Sequence, residues 1–308
     1  MPYPIQTVAV AGATGNTGPT VIRTLIASGF KVTALTRSAA KTTAALGPEA
    51  KVIEVDYLSQ DSLVSALQGI DAVVVCGVGM LPEQTNLIAA SITSGVTRFL
   101  PSSFATPLNT PGKRTLRIHR DKLLTSSYLQ ARTSLISHTI IHTGPLLDYL
   151  LNIGVLVNLK SRTITLFDDG EKRFSTTTMA TASAAVAAVL KMGEGSANRE
   201  FCVHDVVTCQ NELLEPAKEV VLASTGSGSE SGNAQEWTVA RMDTGECERK
   251  AEEAFRVDGD SAMGMHLQKV VGVFGKAFTS DFGEADNREL GIEMMDRKQL
   301  KEVLGRFA

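Results

Sequence analysis

From residue 7 to residue 142 the chain alternates between two hydrophobic periods. Short runs rich in β-branched and other apolar residues occupy 7–11, 31–36, 51–55, 72–76, 97–100 and 137–142. Between them, residues 17–27, 61–67, 84–94 and 116–130 space their apolar positions three and four apart, as on one face of a helix. Apolar runs separated by helices form a parallel sheet covered on both sides. Six of them predict an α/β fold, a Rossmann-type doubly wound parallel sheet.

Past Gly144 the alternation loosens. Residues 163–166 and 200–204 predict strands, and the Ala/Val-rich stretch 179–191 predicts a helix. Thr208 is placed as the N-cap of a helix running through Leu213, Ala217 and Val221. The Gly/Ser stretch 224–233 has few side chains to bury and is expected to be a surface loop. Further helices are expected over 244–256, 261–274 and 296–306. The organisation that follows is a nucleotide-binding domain over 1–150, a smaller α+β C-terminal substrate domain over 151–308, and a cleft between them.

Composition narrows the partners. At 308 residues, a soft prior of about 150 residues per domain agrees with two units. Lys and Arg number 30 against 33 Asp and Glu, a formal charge of −3. That balance argues against nucleic acid or an anionic membrane as the main partner, since each selects a strongly basic surface. No stretch reaches the roughly 18 uninterrupted apolar residues of a spanning helix. The opening Met1-Pro2-Tyr3-Pro4-Ile5-Gln6 has no basic region followed by a long apolar one, so no secretory leader is expected. Cys76, Cys202, Cys209 and Cys247 form no C-x-x-C pair, which suits reduced thiols in the cytoplasm. The expected partner is a small molecule, with a homodimer left open.

The strongest local signal is Gly12-Ala13-Thr14-Gly15-Asn16-Thr17-Gly18, which follows the first strand and opens the helix containing Pro19. In that position Gly12 permits the tight turn and Gly15 lets a pyrophosphate approach the backbone. Gly18 allows close packing of helix on sheet. The helix N-terminus then offers free N–H groups and partial positive charge to the phosphates. Thr14, Asn16 and Thr17 belong to the same cradle. The second strand ends Leu35-Thr36-Arg37-Ser38, with Lys41 one turn further on. An acid there would hold the ribose 2′-OH of NAD, whereas a guanidinium suits the 2′-phosphate of NADP. The expected cofactor is therefore NADPH/NADP+, with Arg37 as main contact and Lys41 as second. Asp56, after the third strand, is expected to approach the adenine edge, and Gly77 and Gly79 after the fourth to leave room for the cofactor. Asp61 is expected to cap a helix.

Many dehydrogenases of this cofactor pass a proton through a Tyr-x-x-x-Lys pair. None of Tyr3, Tyr57, Tyr128 and Tyr149 has a Lys four residues later. His138 and His142 share a strand face but lack an evident third ligand, so buried, hydrogen-bonded histidines are expected there and no metal site.

The glycine run, Gln84-Thr-Asn-Leu-Ile-Ala-Ala, Gly95-Val-Thr-Arg-Phe-Leu-Pro-Ser-Ser-Phe104 and Ser137-His-Thr-Ile-Ile-His-Thr-Gly-Pro145 occur in an order that resembles the NmrA-like and isoflavone reductase-like family. The Ala-rich helix after Phe174-Ser-Thr-Thr-Thr and Asn287-Arg-Glu-Leu-Gly291 extend the resemblance over nearly the whole chain. This is the atypical branch of the short-chain dehydrogenase/reductases. The resemblance implies a cleft active site and a Lys, after the fifth strand, that acts as acid or orients the substrate. Lys122 in His119-Arg-Asp-Lys-Leu-Leu124 matches that Lys and also borders the cofactor. His119, three residues earlier, is the second catalytic candidate, and Lys113 is a distant third. The resemblance also places Ser102, Phe104, Gly144 and Pro145 near the nicotinamide. One departure stands out: the family's Pro-Ser-Glu-Phe-Gly reads Pro101-Ser102-Ser103-Phe104-Ala105 here, so a carboxylate is lost at Ser103. The implied activity is NADPH-dependent reduction of an apolar aromatic or conjugated metabolite, of the kind met in specialised metabolism. Two further readings stay open: a non-catalytic NAD(P)-binding regulator, and a non-redox step on the same fold.

Overall fold

The computed structural model describes residues 4–47, 49–77, 81–108, 111–224 and 236–308. The first stretch of chain builds β1 (Thr7–Ala11), α1 (Gly18–Ala27), β2 (Lys31–Thr36), α2 (Ala39–Leu46), β3 (Lys51–Glu54), α3 (Gln60–Ala66), β4 (Ala72–Val75), α4 (Leu81–Thr93) and β5 (Arg98–Leu100). Next come α5 (Pro111–Arg114), a 3-10 turn (Arg117–His119), α6 (Arg120–Gln130), β6 (Ser137–His142) and α7 (Leu147–Asn152). The remainder supplies β7 (Thr163–Phe167), β8 (Phe174–Thr176), α8 (Met179–Lys191), β9 (Arg199–Cys202) and β10 (Val206–Thr208). It closes with α9 (Gln210–Ser224), β11 (Thr238–Met242), α10 (Thr244–Val257), α11 (Ala262–Phe274) and α12 (Arg297–Gly305).

The main sheet has the order β3-β2-β1-β4-β5-β6-β9 and every pair in it is parallel. Strand side chains alternate, so each face has its own core. Val8, Val10 and Val74 pack with Val21, Ile22 and Leu25 of α1 and Val186 of α8. Ala9, Ala11, Val73 and Val75 pack with Leu63 of α3 and Leu87 and Ile88 of α4. A third core, containing Leu151, Leu166, Leu213, Ala251, Val271 and Leu300, joins α7, β7 and the later helices into a cap.

The sheet does not stop at residue 150. β9 runs beside β6 in the register Thr139↔Arg199 to His142↔Cys202, and α8 covers the sheet alongside α1. A cut at 150 would leave the β6 edge bare, so the layer draws on both sides of the expected boundary. Other departures are local. α3 is capped by Ser59, whose Oγ accepts from the Ser62 N–H at 3.3 Å, while Asp61 sits in the first turn. Thr208 lies in β10, and α9 begins two residues later. The expected helix over 116–130 divides at His119 into the 3-10 turn and α6. Of the Gly/Ser stretch, residues 225–233 fall outside the described residues. No helix among the described residues is long and apolar enough to cross a membrane.

Candidate active site

The sheet order reverses between β1 and β4, where a doubly wound sheet opens a crevice at its strand ends. Gly12, immediately after β1, has φ +82°, and a Cβ there would stand 2.8 Å from the Cys76 carbonyl oxygen. A side chain at Gly18 would meet the backbone of Ala13 at 2.8 Å. These two glycines let the chain double back under α1. The Thr17 side chain makes no cap bond and no acid occupies the first turn of α1, which leaves its positive end unneutralised.

Two cavities meet at Gly15 and Gly77 in this crevice. The smaller, about 370 Å³, is lined by Gly12, Thr14, Thr36, Arg37, Lys41 and Tyr57, among others. Arg37 is exposed at its rim, with no hydrogen bond or ion pair among the described residues. Glu54 at the end of β3 is turned to α2, where its Oε2 accepts from the Ala39 N–H at 2.8 Å. Tyr57 forms part of the wall, its hydroxyl donating to the Leu35 carbonyl at 3.1 Å. Burial pushes that phenol up to about 12, so it stays neutral.

The larger cavity, about 590 Å³, lies between the sheet ends and the cap. Asn16 and Thr17 of the expected phosphate cradle line it together with Ser102, Phe104, Lys122 and Pro145. Gly18, Asp56 and Gly144 line neither cavity. Asp56 is exposed, its Oδ1 accepting from the Leu58 N–H at 2.9 Å. Gly144 has φ +64° and abuts the Ser175 carbonyl, so its part is in the backbone. Gly79 lies outside the described residues. Ser103 lines neither cavity, although its neighbours Ser102 and Phe104 line the larger one.

Lys122, in the first turn of α6, is half-buried on the cavity wall. Desolvation, with repulsion from Lys269, pushes its amine down to about 8. His119 ends the 3-10 turn, is 5% exposed, and has neither ring nitrogen hydrogen-bonded. Burial, then the charges of Lys122 and Lys113, push it down to about 3, so the imidazole is neutral in ordinary buffers. The Ile118 N–H donates to Gln268 Oε1 at 3.2 Å, which ties this turn to α11. α11 is held in turn by Phe274, stacked on Phe167 at 4.8 Å and edge-on to Phe174 at 5.4 Å. Lys113 is fully buried outside the lining; its amine donates to the Thr279 carbonyl and is pushed down to about 8 by burial. It is a strap between cap and sheet.

The cap adds lining residues that local motifs did not reveal. His266, Lys269, Val270 and Val273 of α11 follow i, i+3, i+4, i+7 spacing and face the cavity together. Tyr149 of α7 joins them, so a phenol and Lys122 line one space although they lie on different helices. On the sheet, His142 Nε2 lies 2.8 Å from Glu200 Oε2, whereas His138 Nδ1 is buried without a partner. Among the described residues no cluster of three metal-binding side chains occurs.

Residues 12–192 match a family model described as NAD(P)H-binding. The chain belongs to this NAD(P)H-binding family. Two curated relatives agree. Oxidoreductase aprR of Aspergillus flavus is 30% identical over 249 residues, covering 79% of this chain and 80% of aprR. Oxidoreductase poxI of Penicillium oxalicum is 30% identical over 227 residues, covering 71% of each. Among solved structures, AtPrR2 with NADP+ and (+)pinoresinol superposes with a TM-score of 0.75 at 19% identity, covering 100% of both chains. Isoflavone reductase gives 0.73 at 15% identity, covering 99% of this chain and 100% of its own. The quinone oxidoreductase QOR2 of Escherichia coli, complexed with NADPH, gives 0.74 at 20% identity over 97% and 99%. The fold is shared with AtPrR2, isoflavone reductase and QOR2, and this NAD(P)H-binding protein is an oxidoreductase.

Proposed function

We propose that this oxidoreductase uses NADPH to reduce an apolar aromatic or conjugated carbonyl compound, with Lys122 as proton donor. The observation that supports this most is Lys122 itself, a half-buried amine on the wall of an apolar cavity that opens onto the glycine cradle at Gly15 and Gly77. The cradle fits a dinucleotide: Gly12 and Gly18 have no room for side chains, and Arg37 and Lys41 stand at the far rim for a 2′-phosphate. When bound, the reduced nicotinamide supplies hydride. Leu146, Leu150, Ile153 and Val270 exclude water and hold the apolar body of the substrate. Lys122 donates its proton as negative charge develops on the substrate oxygen. His119, held neutral, has no cationic proton to give near neutral pH.

Oxidation of NADPH in the presence of enones, quinones and aromatic aldehydes tests the reading. Turnover of at least one class is expected; tight NADPH binding with no turnover of any would overturn it. The same assay has a defined pH dependence. Lys122 is protonated below about 8 and loses its proton above it, so kcat/KM should fall as pH rises through about 8. Lys122→Arg keeps the charge and removes the titration, so this alkaline limb should vanish.

A further inference from the structure

The larger cavity has a charge imbalance that a neutral substrate leaves unused. No Asp or Glu lines it among the described residues, whereas Lys122 of α6 and His266 and Lys269 of α11 do. Cys76, also on the lining, adds no negative charge, because burial pushes its thiol up to about 12. Asp148, next to the lining residue Tyr149, is turned to α8, where its two oxygens accept from the Met179 N–H at 3.1 and 3.0 Å. Lys269 is exposed and has no hydrogen bond or ion pair among the described residues, so its N–H donors are free for a ligand.

The surroundings indicate what it would bind. The charge of Lys269 repels that of Lys122, and an anion entering the cavity is attracted by both. On the reductase reading the cofactor's phosphates take the glycine turn after β1 and, in the other cavity, Arg37 and Lys41. Lys269 stands on the cap and belongs to neither group. Leu146, Leu150, Ile153, Val155 and Val270 make the surrounding wall apolar, so the occupant is an apolar body with an anionic end. Residues 111–122, which include the lining residues Ile118, His119 and Lys122, carry five Lys and Arg against one Asp in a chain of net charge −3. Arg114, Arg117 and Arg120 of that stretch are exposed, a local positive field that draws anions.

Resting on the reductase reading, we propose that Lys269 is a specificity-determining residue that pairs with a carboxylate on the substrate while Lys122 addresses the carbonyl. The substrate class is thus aromatic or conjugated oxo acids rather than neutral aldehydes or quinones. His266, one turn before Lys269 on the same face of α11, offers a further N–H to the same carboxylate.

Calorimetric binding to the NADP+ complex tests the assignment without turnover and with the cofactor's charges already in place. The probes are 3- and 4-acetylbenzoate, each against its carboxamide, which keeps the shape and removes the charge. In at least one pair the carboxylate is expected to bind about tenfold more tightly, equivalent to about 1.4 kcal/mol. That preference should fall to about one in Lys269→Met, survive in Lys269→Arg, and shrink as salt rises, since the amine is exposed. Equal affinities within both pairs, no saturable binding of either carboxylate, or a preference unchanged in Lys269→Met would each overturn it. If no carbonyl compound is ever reduced but the preference still tracks Lys269, the reductase reading falls and this inference stands. If neutral carbonyl compounds are reduced and no preference tracks Lys269, this inference falls and the reductase reading stands.

Discussion

Lys122→Met should lower kcat/KM by about 10²–10⁴-fold, the usual span for removing a general acid. Met has nearly the length and volume of Lys, so it preserves the packing of α6 while deleting the proton and the charge. The prediction rests on where the amine is. Its charge is only partly hydrated, faces a cavity of about 590 Å³, and is repelled by Lys269. Those conditions bring its proton affinity near the working pH, where a donor is most effective. An amine on an exposed helix face would give a change of a few-fold at most. Steady-state kinetics on any compound reduced by the native protein, with NADPH affinity measured in parallel, make the distinction. The affinity should change far less than kcat/KM, because Arg37 and Lys41, the expected 2′-phosphate contacts, line the other cavity. A loss of under threefold in kcat/KM would remove Lys122 from the chemistry. Lys122→Arg then separates its two contributions: partial recovery indicates charge, and no recovery indicates the proton.

The cofactor half of the site was legible because its mechanism is local. Gly12 and Gly18 are needed where a strand turns directly into a helix, and seven consecutive residues contain the whole device. The cap half was not. α11 was legible as a helix, but the face bearing His266 and Lys269 was not recognisable as a cavity wall, because only its docking on the 3-10 turn makes it one. Tyr149 shows the same limit: searching for a Lys four residues away examines one helix, whereas α7 and α6 meet only in the folded chain. β11 gave no signal because all five of its residues are exposed and it is held by its register with β7 alone. The sheet's use of β9, beyond the expected boundary at 150, was hidden for a related reason. β9 looked like part of the second unit by position, and only the open edge of β6 requires it in the first sheet.

Arg37→Ala should raise the dissociation constant of NADPH by about tenfold and that of NADH by less than about threefold. Charge-assisted hydrogen bonds to phosphate are worth about 1.5–3 kcal/mol, and the lower end applies because Arg37 is exposed. The guanidinium has no competing partner among the described residues, so none of its donors need be withdrawn before the phosphate arrives. Glu54, at the end of β3, is already bonded to the Ala39 N–H, and the carboxylate that lines the cavity with Arg37 is Glu83. Since the contact is exposed, the NADPH advantage should shrink as salt rises, while NADH binding should respond little. Lys41, one turn along α2 on the same cavity, should reproduce the effect in weaker form when replaced by Ala. Fluorescence titration of both reduced cofactors against native and Arg37→Ala protein decides the matter. Equal weakening of NADPH and NADH would mean that Arg37 supports the fold of the rim and does not read the 2′-phosphate.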